Sequence, residues 1–562
     1  MVCSTPLVPL VFSRGWRKNS EDLLLKKPGW VVNMIHLNDE RVKRLRKARV
    51  TDQNDPAYGG ILDGYEMAHA HNATAFIQSG ICALVSKESA FSSNRELTGE
   101  LVLAAKHLLK LQHADGTIDL LSTNFHSTPD LGFIVKWLCP VYRLLDKSSV
   151  PGRKALVQPL GEFLQKSGKA LKTGGIHTPN HRWVVCAALA ELSTIWPDPG
   201  FRERAETWLR EGINLDQDGQ YKEKSSFIYS SLSDRVLITT ARGLKKPELL
   251  DYVRKNLNMT LYYIHPNGEI VTEASGRQDK AIIGTLENYY YPCRYLAIHD
   301  RNGQFAAVCQ LIEETAFPKT VGFLHYFLED QTLWQELPPS EALPTHYAKA
   351  FLSSDLIRIR RGTYDASLLL NNPVFFTFHK KNAVLQGIRL ASAFFGKGQF
   401  TAERHREENS TYFLESSLEG PYYQPIAQDK ISGDGDWAKM PQSQRPQSEV
   451  QKLQTTIAVR EIEKGFELEI TIQGTDHVPL ALEFIFRPGG HFSGVQAHAD
   501  FPDVYFLKEG QGSYTLHGDQ IAFGPGVYQH KWVEIRGALP RMNAPTVFIT
   551  GFTPFNKKFQ IT

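Results

Sequence analysis

The 562-residue sequence lacks several features that would announce a function, and each absence narrows the choice. It has no paired cysteines. Cys3, Cys82, Cys139, Cys186, Cys293 and Cys309 form no CxxC, and none lies beyond residue 309. Four of them fall in apolar, helix-patterned stretches, where a buried free thiol is expected rather than a disulfide or metal ligand, and this leans toward a reducing compartment. No excess of one charge is present either. A formal net charge of +3 leaves no overall footprint for nucleic acid. No apolar run approaches the ~20 residues needed to span a bilayer, so no membrane partner is expected. The opening MVCSTPLVPLVFSRGW makes a poor signal peptide, because no cation precedes its apolar run and Pro6 and Pro9 interrupt it. The chain as it stands reads as cytoplasmic, or as exported with its signal removed. GxxxxGK[ST], GxGxxG at a strand–helix junction, HExxH and GxSxG are absent, which takes support from nucleotide hydrolysis, dinucleotide redox chemistry and serine hydrolysis.

What is present is the composition of a large globular protein, 42% hydrophobic and 22% charged, too long for a single core. Its two halves have different periods. Residues 30–335 place apolar side chains three and four apart, as in 94–112, 128–146, 181–196, 201–213 and 248–264, which predicts a long array of amphipathic helices. Three of these helices run into the same punctuation, HADGTIDL (113–120), DQDGQYKE (216–223) and HPNGEIVT (265–272). Asp-Gly or Asn-Gly supplies a tight turn, and a short extended piece comes after it. Turns repeating at one rim favour a closed (α/α) toroid of helical hairpins over an open solenoid, with the polar segments after them sharing one mouth. Pro338, Pro339 and Pro344 mark a linker over 337–348. Beyond it, 356–362, 466–474, 480–490, 514–526, 530–537 and 545–552 alternate with a period of two, predicting an antiparallel β-sandwich over 349–562. Within that half, 424–448 is a polar Pro/Gly/Ser-rich loop, a candidate lid. The toroid is expected over 1–336 and to carry the chemistry.

The candidate site starts from GGIHTPNHRWVVCAALAEL, residues 174–192. Thr178 reads as a helix N-cap and Pro179 as the first helical residue, so Asn180 and His181 fall in the first turn. Exposed N–H groups and the positive end of the helix dipole favour an anion there, and an amide and an imidazole can hydrogen-bond a carboxylate without an ion pair. Helix capping alone would account for the same residues. TNFHSTPD (123–130) repeats the design, with Asn124 and His126 ahead of a second helix start. Further polar residues come after the other turns: Tyr221 and Tyr229, then Arg277, Gln278 and Asp279. His69, His71 and Asn72 make a third polar spot, although His69 and His71 are two apart and share no helix face, which weakens a two-histidine metal site.

A helical toroid, an Asn-His pair opening an inner helix, a tyrosine 40–50 residues later and a carboxy-terminal β-sandwich together resemble the heparinase II/III-like and alginate-lyase-like polysaccharide lyases. The resemblance implies cleavage of a uronic-acid-containing glycan at C4 by β-elimination. Removing the C5 proton requires the neighbouring carboxylate to be neutralised, a task like that of an oxyanion hole. It implies that Asn180 and His181 do this with help from Arg277, and that Tyr229, preferred over Tyr221, works with a histidine as base and acid. Asn124, His126, Tyr221 and Gln278 then become sugar-binding residues. The family's glycine- and histidine-rich motif early in the β-domain is missing. That region carries only His379, followed by His405, and these are the candidates for the second proton-transfer group; an HAD occurs late, at 498–500.

Two other readings compete. A glycoside hydrolase on the same toroid would need two carboxylates, from among Asp130, Glu223, Asp234, Glu273 and Asp279. A non-catalytic glycan-binding protein would need only the scaffold. The expected partner is an acidic polysaccharide or oligosaccharide. No cofactor is expected and no ligand spacing calls for a metal, although a structural divalent cation stays open; the sequence does not set an oligomeric state.

Overall fold

A computed structural model describes residues 26–562, so Cys3 and the reading of the amino terminus lie outside the described residues. The helical half contains α1 (Gly29–Lys47), α2 (Ala70–Val85), α3 (Arg95–Leu111), α4 (Thr128–Asp146), α5 (Arg153–Thr173), α6 (Pro179–Ile195) and α7 (Pro199–Leu209). It continues with α8 (Ser231–Leu244), α9 (Leu250–Thr260), α10 (Tyr290–Asp300), α11 (Gly303–Thr315) and α12 (Leu324–Glu329). Even-numbered helices pack on one another as an inner ring, α2 on α4, α4 on α6, α6 on α8 and α8 on α10. The ring closes through α12, which packs on α2, α4 and α1, while α3, α5, α7, α9 and α11 flank it. This is the toroid.

Position in the ring explains a departure from simple amphipathicity. In α6 every residue from Arg182 to Leu192 is buried, because α4 and α8 lie on either side and α5 and α7 cover its outer face. Small alanines at 187, 188 and 190 let neighbours approach from several directions. No described helix is long and apolar enough to cross a membrane.

The three punctuating turns are nearly superimposable in their hydrogen bonds. His113, Asp216 and His265 each donate a backbone N–H to the carbonyl four residues on, at 2.9, 2.9 and 2.8 Å. Gly116, Gly219 and Gly268 each take a left-handed conformation, with φ of 85, 94 and 80°, which glycine adopts without a Cβ clash. At Gly116 and Gly219 a Cβ would also strike the backbone carbonyls of Lys166 and Lys255, so these two turns are pressed against α5 and α9.

The helical half ends with a 3₁₀ turn at Gln331–Trp334, and the strands of the two large sheets begin at His346. An eight-stranded and a nine-stranded sheet make up the rest, antiparallel apart from one parallel pair. Their alternating inner residues, such as Leu368, Phe378, Leu385, Ile457, Leu468 and Phe559, join in one core between them. The segment 530–537 is not a strand: Val533 and Ile535 point inward while Trp532 and Arg536 point out, giving the expected alternation without a partner strand. The loop 424–446 contains only short 3₁₀ turns and is almost wholly exposed.

Candidate active site

Starts of inner helices and segments after the turns meet in one cleft of about 580 Å³. Asn124 and Asp130 enter it from the start of α4, Thr178 and His181 from the start of α6, Tyr229 from the approach to α8, and Arg277 and Gln278 from the third turn's segment. His71, at the start of α2, His177 and Thr123 complete the polar lining, with Leu120, Phe133, Ile228 and Leu232 as its apolar wall.

The start of α6 is left open in hydrogen-bonding terms. Thr178 has the N-cap conformation, but its hydroxyl caps no backbone N–H; it donates instead to Oδ1 of Asn180 at 2.7 Å. Asn180 is only 1% exposed, and its Nδ2 has no protein acceptor. Nδ1 of His181 is also buried without a partner. Burial, then the adjacent His177, whose ring meets it edge-on at 4.8 Å, pushes the His181 pKa down to about 4. His181 is therefore an uncharged imidazole at neutral pH. A buried polar atom without a partner is costly, and of these two His181 lines the cleft while Asn180 lies one residue before it, outside the lining.

Tyr229 is set by a single π-helical turn, Ser226–Ser230, at the head of α8. Its ring lies under the Arg277 guanidinium at 4.9 Å, and its Oη accepts 2.8 Å from Gln278 Nε2. Asp279 holds this arrangement together. Fully buried, it accepts from Ser225 Oγ at 2.8 Å, from the Phe227 N–H at 3.2 Å and from the Ser275 hydroxyl, tying the third segment to the second. Arg277 is steadied in turn by Glu223 at 3.0 Å.

Several expected residues lie elsewhere. Tyr221 is fully buried and donates to Asp234 at 2.9 Å, so it braces the ring and does not touch the cleft. His126 is exposed beyond the cleft's lining, stacked on His113 at 3.8 Å and held by Asp115 at 2.8 Å. His405 sits on the exposed strand Arg404–Glu408 and lines a different groove. His379 is buried against His265, their rings parallel at 3.7 Å, in a separate small cavity of about 80 Å³. Sequence reasoning missed His265, the first residue of the third turn, because its partners come from strands about a hundred residues later.

This second cluster joins the helical half to the sheets. His265 Nδ1 donates to both oxygens of Asp365 at 3.0 Å, and its Nε2 faces Glu273 at 3.6 Å. Despite burial, the two carboxylates raise its pKa to about 9, so it is an imidazolium. Arg358, 2.5 Å from Asp365, completes the balance of charge. Burial opposes ionisation of Asp365 and Glu273, but these cations outweigh it and hold both well below the usual carboxylate range. Donor atoms of His265, Asp365 and His379 all lie within 4.8 Å of one another, close enough for a metal. With no metal the trio is a charge cluster in which His265 is protonated, and a metal bound there would have to displace that proton.

The carboxylates named for a hydrolase do not pair across the cleft. Of the five, only Asp130 lines it; Asp234 and Asp279 are fully buried, Glu223 holds Arg277, and Glu273 belongs to the second cluster.

No family model and no curated protein sequence matches the chain. Solved structures do. Heparinase III is similar over 98% of this chain and 87% of its own length, at 12% identity and a TM-score of 0.56. The Streptomyces coelicolor A3 chondroitin AC lyase, in complex with chondroitin sulphate, matches 98% of this chain and 80% of its own, at 12% identity and 0.55. Paenibacillus xanthan lyase matches 94% of this chain but only 56% of its own length, at 10% identity and 0.54. The protein thus has the fold of these polysaccharide lyases, a helical toroid followed by a β-sandwich.

Proposed function

We propose that the protein is a polysaccharide lyase that cleaves a uronic-acid-containing glycan by β-elimination. The observation that carries this reading is the open start of α6: His181, whose Nδ1 has no protein partner, lines the cleft that holds Tyr229, and Asn180, whose Nδ2 is likewise unpartnered, lies one residue before it, behind the cleft's lining. Their surroundings suit a carboxylate: the positive end of the helix, an amide N–H and, across the cleft, the Arg277 guanidinium. Binding there would withdraw charge from the uronate and make its C5 proton removable. The uncharged His181 has the free lone pair a base needs. Tyr229 accepts its hydrogen bond from Gln278, which leaves its own O–H available to the departing O4. On this reading the base comes from the toroid. His379 is set aside for this role because its partner is His265.

The fold shared with heparinase III and chondroitin AC lyase is consistent with this reading, and the lack of a carboxylate pair across the cleft disfavours the hydrolase. The test is incubation with heparan sulfate, chondroitin, hyaluronan and alginate while following the ultraviolet absorbance of an unsaturated product. The expected result is rising absorbance with one of these glycans, abolished in Tyr229→Phe while the melting temperature is kept. New reducing ends without absorbance would overturn the lyase reading in favour of hydrolysis, and binding without cleavage would leave only the scaffold.

A further inference from the structure

The β half bears a second built groove, of about 380 Å³, that shares no lining residue with the cleft. Its walls are Phe395 and Trp532, 42% and 43% exposed, with Arg536 beside them. Both aromatic residues are held rigidly. Phe395 takes a left-handed backbone conformation, φ 49°, which is uncommon for a bulky side chain. Its ring is wedged between Phe394 and Tyr422, edge-on at 5.0 and 5.5 Å, above Gly420, where a Cβ would collide with it. Trp532 donates its indole N–H to the Glu534 carbonyl at 2.9 Å, which fixes the ring.

The two loops meet backbone to backbone. A Cβ on Gly537 would strike the Gly396 carbonyl, and one on Gly398 would lie 3.0 Å from the Arg536 carbonyl. Gly537 and Gly398 therefore permit the approach that sets the two rings and the cation around one groove. Phe395 thus keeps an uncommon backbone conformation while much of its packed ring stays open to solvent, and strain of this kind gathers where ligands are clamped. Arg536 is exposed and outside every ion pair of the described residues, so its charge is available.

We infer that this groove is an ancillary binding site for an anionic saccharide, with a pyranose ring against Trp532 and Phe395 and its carboxylate or sulfate on Arg536. Aromatic faces suit the C–H-rich face of a sugar ring, and a planar guanidinium suits an oxyanion. Because the rings are already immobile, little side-chain entropy remains to be lost on binding. The choice of an acidic glycan as occupant rests on the proposed function; the groove itself does not. Its role would be to hold a long chain on the surface while the toroid cleaves it.

The test is affinity electrophoresis of the full chain through gels containing heparan sulfate, chondroitin sulfate, alginate or neutral dextran, with Trp532→Ala and Arg536→Gln beside the unaltered protein. The expected result is retardation by one acidic polysaccharide that weakens about tenfold in each variant, with cleavage of a tetrasaccharide unchanged. Retardation by dextran should be weaker and indifferent to Arg536→Gln. Equal retardation of all three proteins by every gel would overturn the proposal, as would sedimentation showing that Trp532→Ala splits a dimer whose interface no glycan competes for. Tyr229→Phe separates the two readings: it should lose cleavage yet keep retardation. Variant-sensitive retardation in a protein that cleaves no uronate glycan would leave the groove standing and the lyase reading fallen.

Discussion

Helices α4 and α6 begin alike in sequence, STPD against TPNH, and their polar side chains meet opposite fates. At α4, Ser127 caps the helix by accepting from the Asp130 N–H at 3.2 Å, while Asp130 accepts from Ser127 Oγ and from Asn124 Nδ2 at 2.5 and 2.9 Å. No buried side-chain nitrogen or oxygen at that start is left without a partner. At α6 the corresponding hydroxyl is diverted to Asn180, and two buried nitrogens are left over. The difference teaches that a polar helix start counts as a site by what it leaves unsatisfied, not by which residue types it contains.

The strongest way to break this comparison is Asn180→Ala. If its amide serves a substrate carboxylate, turnover should fall by roughly 10²–10³-fold, the range for deleting one preorganised donor, while thermal unfolding barely moves. Unchanged turnover with a lowered melting temperature would put Asn180 in the same class as Asp130.

The saturated kind has its extreme in His265. His265→Gln removes one partner of a buried charge cluster and should cost about 3 kcal/mol, read by denaturant unfolding at pH 7. The sign of its pH dependence is fixed. With a folded pKa near 9, above the ordinary histidine value, its contribution is complete below about pH 6.5 and lost as the pH rises through 9. Asp365 and Glu273, held low, act oppositely and lose theirs as the pH falls through the acid range; His379, pushed down chiefly by burial, adds to that loss below about pH 6.5. Stability of the unaltered protein should therefore decline from pH 7 to pH 10, and the decline should flatten in His265→Gln. An equal slope in both proteins would refute the cluster's role.

Ser127→Ala should cost about 1 kcal/mol, as for a lost N-cap, with a far smaller effect on turnover than Asn180→Ala. The subtlest measurement sharpens the contrast from the other side: the acid limb of kcat/KM attributable to His181 should fall near pH 4. A limb near 6.5 would mean that its imidazole is not desolvated in the working protein.

Much of this was legible in the sequence, for identifiable reasons. The bounds of α4 match the expected 128–146 because the capping residues and the apolar period agree. The shared mouth followed from the three turns, whose glycines have one conformational solution. Long-range pairing was not legible. The alternation around His379 told that it points inward on a strand but not that a ring from residue 265 would lie flat against it. Residues 530–537 alternate like a strand, yet hydrogen-bond partners come from neighbouring chain segments, which periodicity cannot name. His177 gave no separate signal. His71 did, since His69 and Asn72 flank it at the start of α2 just as polar residues flank the starts of α4 and α6; discounting it as a metal ligand hid its place in the cleft.

The three like turns carry one more implication. Each fixes the direction in which the chain leaves the ring, and none of the groups that make the turn reaches the cleft. In the segment after each turn the residues that face the cleft, such as Asn124, Tyr229, Arg277 and Gln278, are different ones from those that hold the ring, such as Ser127, Tyr221 and Asp279. A ring so built can keep its architecture while the lining of its cleft changes, and exchanging only residues 123–124, 228–229 and 277–278 between toroids is a direct way to test whether the lining alone carries a preference.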